Sequence, residues 1–213
     1  MAKTELSRTI NKIRTPLNLL NTFLGGGIPF GVAAQFFGAT KCGKSTALLQ
    51  TAEYFLQDYE NGHVDIIDSE GNYTTSARLE KVFNLHPSNS VLETVEEDER
   101  VSFYRISSIE KAFMKIISLA KESATTKEPR LIIVDSISAL SASSVVDEID
   151  KAANKSKDVN VYAGGQSANA AVMTKLLGPL VDDISNSWAT VIFINQVTVD
   201  RNTYGNPEIA KGG

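Results

Sequence analysis

Short aliphatic runs alternate along the chain with longer segments in which apolar residues recur at helical spacing. These short runs, most of them mainly apolar and all of strand length, are residues 32–37, 64–67, 101–106, 131–134 and 191–194. The segments with helical spacing are residues 44–59, 76–83, 109–120 and 172–184. Strands that alternate with helices predict an α/β fold, namely a doubly wound, mainly parallel sheet with helices on both faces.

For several segments the sequence also predicts burial, a helix break or a loop. The first aliphatic run is bounded by glycines and is predicted to be a buried strand. Pro179 lies inside the last helical segment and predicts a kink or a restart, because proline lacks the N–H group that a helix needs. Residues 86–100 and 141–167 are largely polar and are predicted to be loops. The apolar residues of the last helix that are predicted to face inward are Val172, Met173, Leu176, Leu177, Leu180, Val181 and Ile184.

The composition is that of one globular core. A chain of 213 residues has room for one substantial α/β core but not for two full domains, so we expect a short arm at residues 1–13 and a core at residues 14–213. No apolar run is long enough to cross a bilayer, and the single cysteine, Cys42, suits a reducing cytosol, so we expect a cytoplasmic protein with no membrane partner. The net charge of −4 means that DNA binding would require a local basic patch.

Residues 38–45 form a glycine-rich motif that predicts a phosphate-binding loop. The motif fits G-x-x-x-x-G-K-[ST] and lies between a predicted strand and a predicted helix, where backbone N–H groups and the helix N-terminus can surround phosphates. Lys44 would reach the β- and γ-phosphates of ATP, and the hydroxyl of Ser45 would bind Mg2+. The residues predicted to bind the nucleotide are Gly38, Ala39, Thr40, Lys41, Cys42, Gly43, Lys44, Ser45 and Thr46.

Phosphoryl transfer also needs acidic groups that hold Mg2+ and activate water. Asp135 ends an aliphatic run and is the predicted second magnesium ligand. Glu70 follows Lys44 by 26 residues, about one β-α-β crossover, which places it at the same carboxyl edge of a parallel sheet, where it could accept a proton from the attacking water. Asp68, at its strand end, suits a structural or magnesium-side role better. Gln196 ends the last strand, where its amide could donate to the γ-phosphate.

Five separated motifs together resemble the RecA recombinase family. They follow one another in the order of that family's entry segment, its next three strand-end motifs and its second DNA-binding loop. In this chain they are residues 24–31, 67–70, 133–136, 192–196 and 204–208, with Gly212 and Gly213 closing the sequence. The resemblance covers residues 14–213 and is more specific than the phosphate loop alone.

The resemblance implies a DNA-dependent ATPase that uses ATP and Mg2+ and forms a helical filament on single-stranded DNA, which it pairs with homologous duplex DNA. It gives Glu70 the role of catalytic base and Gln196 that of a γ-phosphate sensor, beside Lys44. It also places a first DNA-binding loop at residues 143–165 and a second at residues 197–213. The residues that it implies for DNA contact are Arg201, Tyr204, Asn206 and Lys211.

Some positions depart from the family's pattern. The aromatic residue that packs on adenine would fall near Ala77, with Tyr73 and Arg78 as alternatives. The sequence stops directly after the second loop, so we expect a core that is incomplete at its C-terminus and a first strand at or near an exposed sheet edge. Two other functions stay open: a RecA-like hexameric DNA helicase, which would form a ring, and an accessory subunit that binds ATP without hydrolysing it.

Overall fold

The computed structural model describes residues 11–71, 73, 100–145, 161–199 and 208–210. For residues 161–167, 198–199 and 208–210 it describes the backbone only. The strands are β1 (Lys12–Ile13), β2 (Ile28–Pro29), β3 (Ala33–Gly38), β4 (His63–Asp68), β5 (Val101–Arg105), β6 (Arg130–Asp135), β7 (Ala189–Val199) and β8 (Glu208–Ala210). The α-helices are α1 (Asn18–Phe23), α2 (Lys44–Asp58), α3 (Ile109–Thr126) and α4 (Val161–Ser185), and a short 3-10 helix covers Ile137–Ala139.

Five parallel strands form the central sheet, in the order β3-β7-β6-β4-β5, and β8 adds to β7 in the antiparallel direction. A separate two-stranded antiparallel sheet joins β1 to β2. The parallel register aligns Asp68 with Asp135 and Gly38 with Gln196, so the ends of β3, β4 and β6 meet Gln196 of β7 at one edge. Gln196 was predicted to end its strand, but β7 continues for three more residues, to Val199. The predicted doubly wound, mainly parallel α/β fold is confirmed.

Helices cover both faces of the sheet, and successive strand residues therefore enter different cores. Ile66 and Ile133 pack with Leu48 and Phe55 of α2 on one face. Their neighbours Ile67 and Ile132 pack on the other face against α3 and α4. A strand that is buried on both sides has no regular polar alternation, which is why β6 appears in the sequence as an aliphatic run and β4 is interrupted only by Asp65, whose charge is paired with Arg130.

The first strand of the central sheet, β3, was predicted to be buried, but it lies at an edge and is partly exposed. β3 hydrogen-bonds to β7 and is the last strand on its side of the sheet within the described residues. Its side chains are exposed or half-buried, and that of Phe37 is 64% exposed. Hydrophobicity alone does not separate a central strand from an edge strand, because both can carry an aliphatic run. The expectation of an exposed edge at this strand is the one that agrees with the structure.

The last helix is longer and less buried than predicted. α4 begins at Val161, so the predicted loop over residues 141–167 is wrong at its end, and residues 143–145 are also helical. The helix continues through Pro179 without a restart. Leu180 and Ile184 are fully buried, but Leu177 and Val181 are nearly half exposed, because the apolar stripe is wider than the face that contacts α3 and the sheet. The predicted helix at residues 76–83 lies outside the described residues, as does almost all of the loop at 86–100.

None of the helices within the described ranges combines the length and the apolar character that crossing a bilayer requires.

Gly27 lies against the backbone at Ile13 of β1 and offers a test of the geometry of the small β1–β2 sheet. Its φ of +140° strains any L side chain, and a Cβ atom there would overlap the backbone carbonyl of Ile13. We expect Gly27→Ala to lower the free energy of unfolding by about 1–3 kcal/mol, measured by denaturant titration. Gly26→Ala is the matched control, because Gly26 has φ +121° but meets only the Lys12 side chain. Equal losses in the two variants would show that the backbone overlap at Gly27 does not matter.

Candidate nucleotide-binding site

The turn between β3 and α2 has the backbone conformation of a phosphate loop. Lys41 and Gly43 have φ angles of 65° and 95°, which turn the chain sharply before α2 begins at Lys44. The Nζ atom of Lys44 donates to the carbonyl oxygens of Gly38 at 2.9 Å and Ala39 at 2.8 Å, and so closes the turn upon itself. The loop thus presents an ammonium group and the N-terminus of a 15-residue helix at one point.

Asp135 ends β6 beside this loop and is almost completely buried, with 4% of its surface exposed. Its carboxylate accepts from the hydroxyl of Tyr73 at 2.6 Å, and the hydroxyl of Ser45 lies close by. Burial raises the pKa of Asp135 above its ordinary value, and the two hydroxyl groups act in the opposite direction. A hydroxyl and a carboxylate that line the same cavity are the kind of hard oxygen donors that Mg2+ prefers, so the residues present fit this ion.

Glu70 lies on a turn that is built around the buried side chain of Asp68. The Oδ1 atom of Asp68 accepts from the backbone N–H groups of Glu70 at 3.1 Å and Gly71 at 2.6 Å. This places the exposed Glu70 carboxylate against Ser136, whose Oγ donates to Glu70 Oε1 at 2.6 Å. The amide of Gln196 also donates to Glu70 Oε1, at 3.4 Å. Of the two roles considered for Asp68, the structure shows the structural one.

These groups surround a cavity of about 200 Å³ at the carboxyl edge of the sheet. It brings together residues from the phosphate loop, from the turn after β4, from the end of β6 and from β7, as the sequence predicted. The residues that line it are Thr40, Lys41, Lys44, Ser45, Glu70, Asp135, Ile194 and Gln196.

The other residues predicted to belong to the site do not line the cavity or lie outside the described residues. Gly38 and Ala39 contribute carbonyl groups to the loop, while Cys42 and Thr46 are exposed and do not line the cavity. Cys42 instead contacts Lys44, with 3.8 Å between its Sγ and the Nζ atom. The residues implied for DNA contact lie outside the described part of the chain, and so do Ala77 and Arg78.

Tyr73 has a different place from the one considered for it. It was an alternative for packing on adenine, but only 4% of its surface is exposed and its ring packs against Phe103. Burial raises the pKa of Tyr73 far above its ordinary value, and the negative charge of Asp135 acts in the same direction, so the hydroxyl keeps its proton. In the sequence, Tyr73 is only an aromatic residue three positions after Glu70. Nothing in that position indicates its contact with Asp135, which lies 62 residues further along the chain.

A parallel sheet with this loop at its carboxyl edge, facing carboxylates from two other strands, defines a P-loop nucleotide-binding core of the RecA-like type. A family model described as an AAA domain matches residues 3–169. The chain therefore belongs to the AAA domain family, as a RecA-like P-loop protein.

Individual relatives carry the name RecA. Protein RecA of Ureaplasma parvum serovar 3 is 29% identical over 212 residues, which is 96% of this chain and 53% of the relative. Protein RecA of Malacoplasma penetrans is 29% identical over 197 residues, 92% of this chain and 51% of that protein. Protein RecA, plasmid, of Lactococcus lactis subsp. lactis is 29% identical over 189 residues, 88% of this chain and 46% of that protein. The chain thus spans about half the length of these relatives.

Proposed function

We propose that the chain is the core of a DNA-dependent ATPase of the recombinase type, which binds Mg-ATP, hydrolyses it and assembles on single-stranded DNA. One observation carries the proposal: the Lys44 ammonium, the Ser45 hydroxyl and the carboxylates of Glu70 and Asp135 converge on one cavity. A cation, a hydroxyl and two carboxylates at the mouth of a phosphate loop are the groups that Mg-ATP binding and hydrolysis require.

Lys44 binds the β- and γ-phosphates in this proposal. Its Nζ atom already lies at the mouth of the loop, where it donates to two neutral carbonyl oxygens. Phosphate oxygens are charged acceptors and form stronger hydrogen bonds with an ammonium group than carbonyl oxygens do. The N-terminus of α2 adds backbone N–H groups and positive potential at the same place.

Ser45 and Asp135 are the residues that would hold Mg2+. The ion commonly uses one or two protein ligands together with water and phosphate oxygens, so these two donors are sufficient. When bound, Mg2+ neutralises the charge that develops on the transferred phosphoryl group.

Glu70 acts as the base that orients the attacking water and accepts its proton. Its carboxylate is exposed to the cavity, and its Oε1 atom is held by Ser136. Gln196 contacts the same oxygen and lies on β7, so it can respond to the γ-phosphate beside the base. The strand continues from Gln196 to Val199 and pairs with β8, which supports a connection from the nucleotide to the segment between them. That segment contains Arg201, Tyr204 and Asn206.

DNA binding is the part of the proposal that comes from the resemblance. Arg201 and Lys211 offer phosphate contacts, Tyr204 offers a ring for base stacking, and Asn206 offers an amide. Homologous duplex DNA is the second partner in this proposal, and repair by recombination is the process.

We expect purified protein to hydrolyse Mg-ATP and to do so faster when single-stranded DNA is added, measured by phosphate release. Electron microscopy with an ATP analogue and single-stranded DNA tests the assembly at the same time. Continuous helical filaments support the recombinase. Closed rings would point to a helicase, and isolated particles that bind ATP without turnover would point to an accessory subunit.

A further inference from the structure

The hydroxyl of Tyr73 contacts one of the two residues that we assign to Mg2+ and lies near the other. It donates to Asp135 Oδ2 at 2.6 Å, and the Ser45 hydroxyl is close enough to act on the pKa of the tyrosine. Asp135 and Ser45 both line the cavity. The tyrosine ring lies in the core, with its centroid 6.3 Å from that of Phe103, and a phenylalanine could fill the same space. The hydroxyl therefore adds little to packing, and within the described residues its hydrogen bond goes to a residue that we assign to magnesium.

A backbone hydrogen bond anchors Tyr73 in this position. Its N–H group donates to Asp68 Oδ2 at 3.3 Å, and the other oxygen of that carboxylate accepts from the N–H groups of Glu70 and Gly71. One short segment thus carries both the proposed base and the tyrosine. The same segment contacts the residue after β6, because the Oγ atom of Ser69 donates to the carbonyl oxygen of Ser136 at 2.7 Å. A side chain anchored in this way can orient its partner.

We propose that Tyr73 is a positioning residue that holds the Asp135 carboxylate and the Ser45 hydroxyl in the arrangement that binds the magnesium of Mg-ATP. This inference rests on the proposed function. A hydrogen bond from an outer residue fixes the orientation of a metal-binding carboxylate, and losing such a bond usually weakens the metal site by about 10–100-fold. Tyr73 donates to one oxygen of this carboxylate, Oδ2.

The test is the substitution Tyr73→Phe, with ADP and ATP binding measured by calorimetry in magnesium and in EDTA. We expect the magnesium concentration needed for half-maximal strengthening of nucleotide binding to rise by about tenfold or more. Binding in EDTA should stay at the wild-type level, because the phosphate loop is unchanged. The thermal midpoint of the protein without nucleotide should also stay close to that of wild type.

Tyr104→Phe is the matched control, because the Tyr104 hydroxyl also donates to a buried carboxylate, that of Asp65, at 3.1 Å, but does not line the cavity. It should leave the magnesium requirement unchanged. In a double-mutant cycle, Tyr73→Phe should have no further effect on the magnesium requirement once Asp135→Asn is present, because the tyrosine acts through that carboxylate.

The outcomes separate the inference from the proposed function. Wild-type protein that shows no magnesium-dependent nucleotide binding overturns the proposed function itself. Wild-type protein with magnesium-dependent binding that Tyr73→Phe leaves intact overturns only the role of Tyr73. Equal weakening of binding in magnesium and in EDTA, with a lowered thermal midpoint, would mean that the hydroxyl is merely structural and would also overturn it.

Discussion

Glu70→Gln is expected to reduce ATP turnover by about 10²–10⁴-fold while Mg-ATP binding is retained. A glutamine has the size of a glutamate and can still accept from Ser136, whose Oγ lies 2.6 Å from Oε1, so the turn and the cavity should keep their shape. It cannot accept a proton from water, so the loss should fall on the chemical step. Steady-state phosphate release and calorimetry with Mg-ATP measure the two quantities separately.

Two further variants make the result specific to Glu70. Glu60→Gln changes an exposed glutamate that does not line the cavity, and it should leave turnover unchanged. Asp68→Asn alters the carboxylate that holds the turn, so it should weaken nucleotide binding as well as turnover. If Glu70→Gln turns over ATP at the wild-type rate, Glu70 is not the base.

Arg130→Met is expected to lower the free energy of unfolding by about 3–5 kcal/mol, as is typical when one partner of a buried ion pair is removed. Asp65 is 1% exposed, and its Oδ2 lies 2.8 Å from Arg130 Nη1. The other contact of Arg130, with Glu122 Oε1 at 2.9 Å, is less critical because the side chain of Glu122 is half exposed and can be hydrated. Chemical denaturation measures the loss.

The loss should depend on pH in a defined direction. Burial raises the pKa of Asp65 above its ordinary value, and the nearby positive charge of Arg130 acts against this. Without Arg130 the pKa of Asp65 rises further, so folding favours the protonated carboxyl, and the stabilisation from protonation is lost as the pH increases through that pKa. The deficit of the variant should therefore be larger at about pH 8 than at about pH 5.

Arg14→Met is the control that tests whether burial of the Arg130–Asp65 ion pair causes the large loss. Arg14 forms two hydrogen bonds of 2.6 Å with Asp58, but its side chain is 51% exposed. An exposed pair of this kind contributes at most about 1 kcal/mol, because water solvates both charges when the pair is broken. Similar losses in the two variants would contradict the assignment of the larger effect to burial.

The predictability of the site differs from residue to residue. Lys44 and Ser45 could be predicted to lie together because a phosphate loop is a local structure, formed by eight consecutive residues. Asp135 and Glu70 could be predicted to lie beside them because one ends a strand, the other follows a strand, and parallel strands end at the same edge. The structure places all four at one cavity. Tyr73 was given a different role, because its contact with Asp135 depends on the turn that Asp68 organises and on the packing of its ring.

The sequence by itself determined the class of the fold and most elements of the central sheet, because the spacing of apolar residues indicates which segments form strands or helices and the phosphate loop is continuous in the chain. The sequence left the first strand open between a buried strand and an edge strand. Only the tertiary structure decided between them, and only it showed which face of α4 is buried and which side chains contact Asp135. Those properties depend on residues that are far apart in the sequence. The exposure of Phe37 follows from the position of β3 in the sheet, and the burial of Tyr73 follows from the turn at Asp68 and from its packing against Phe103.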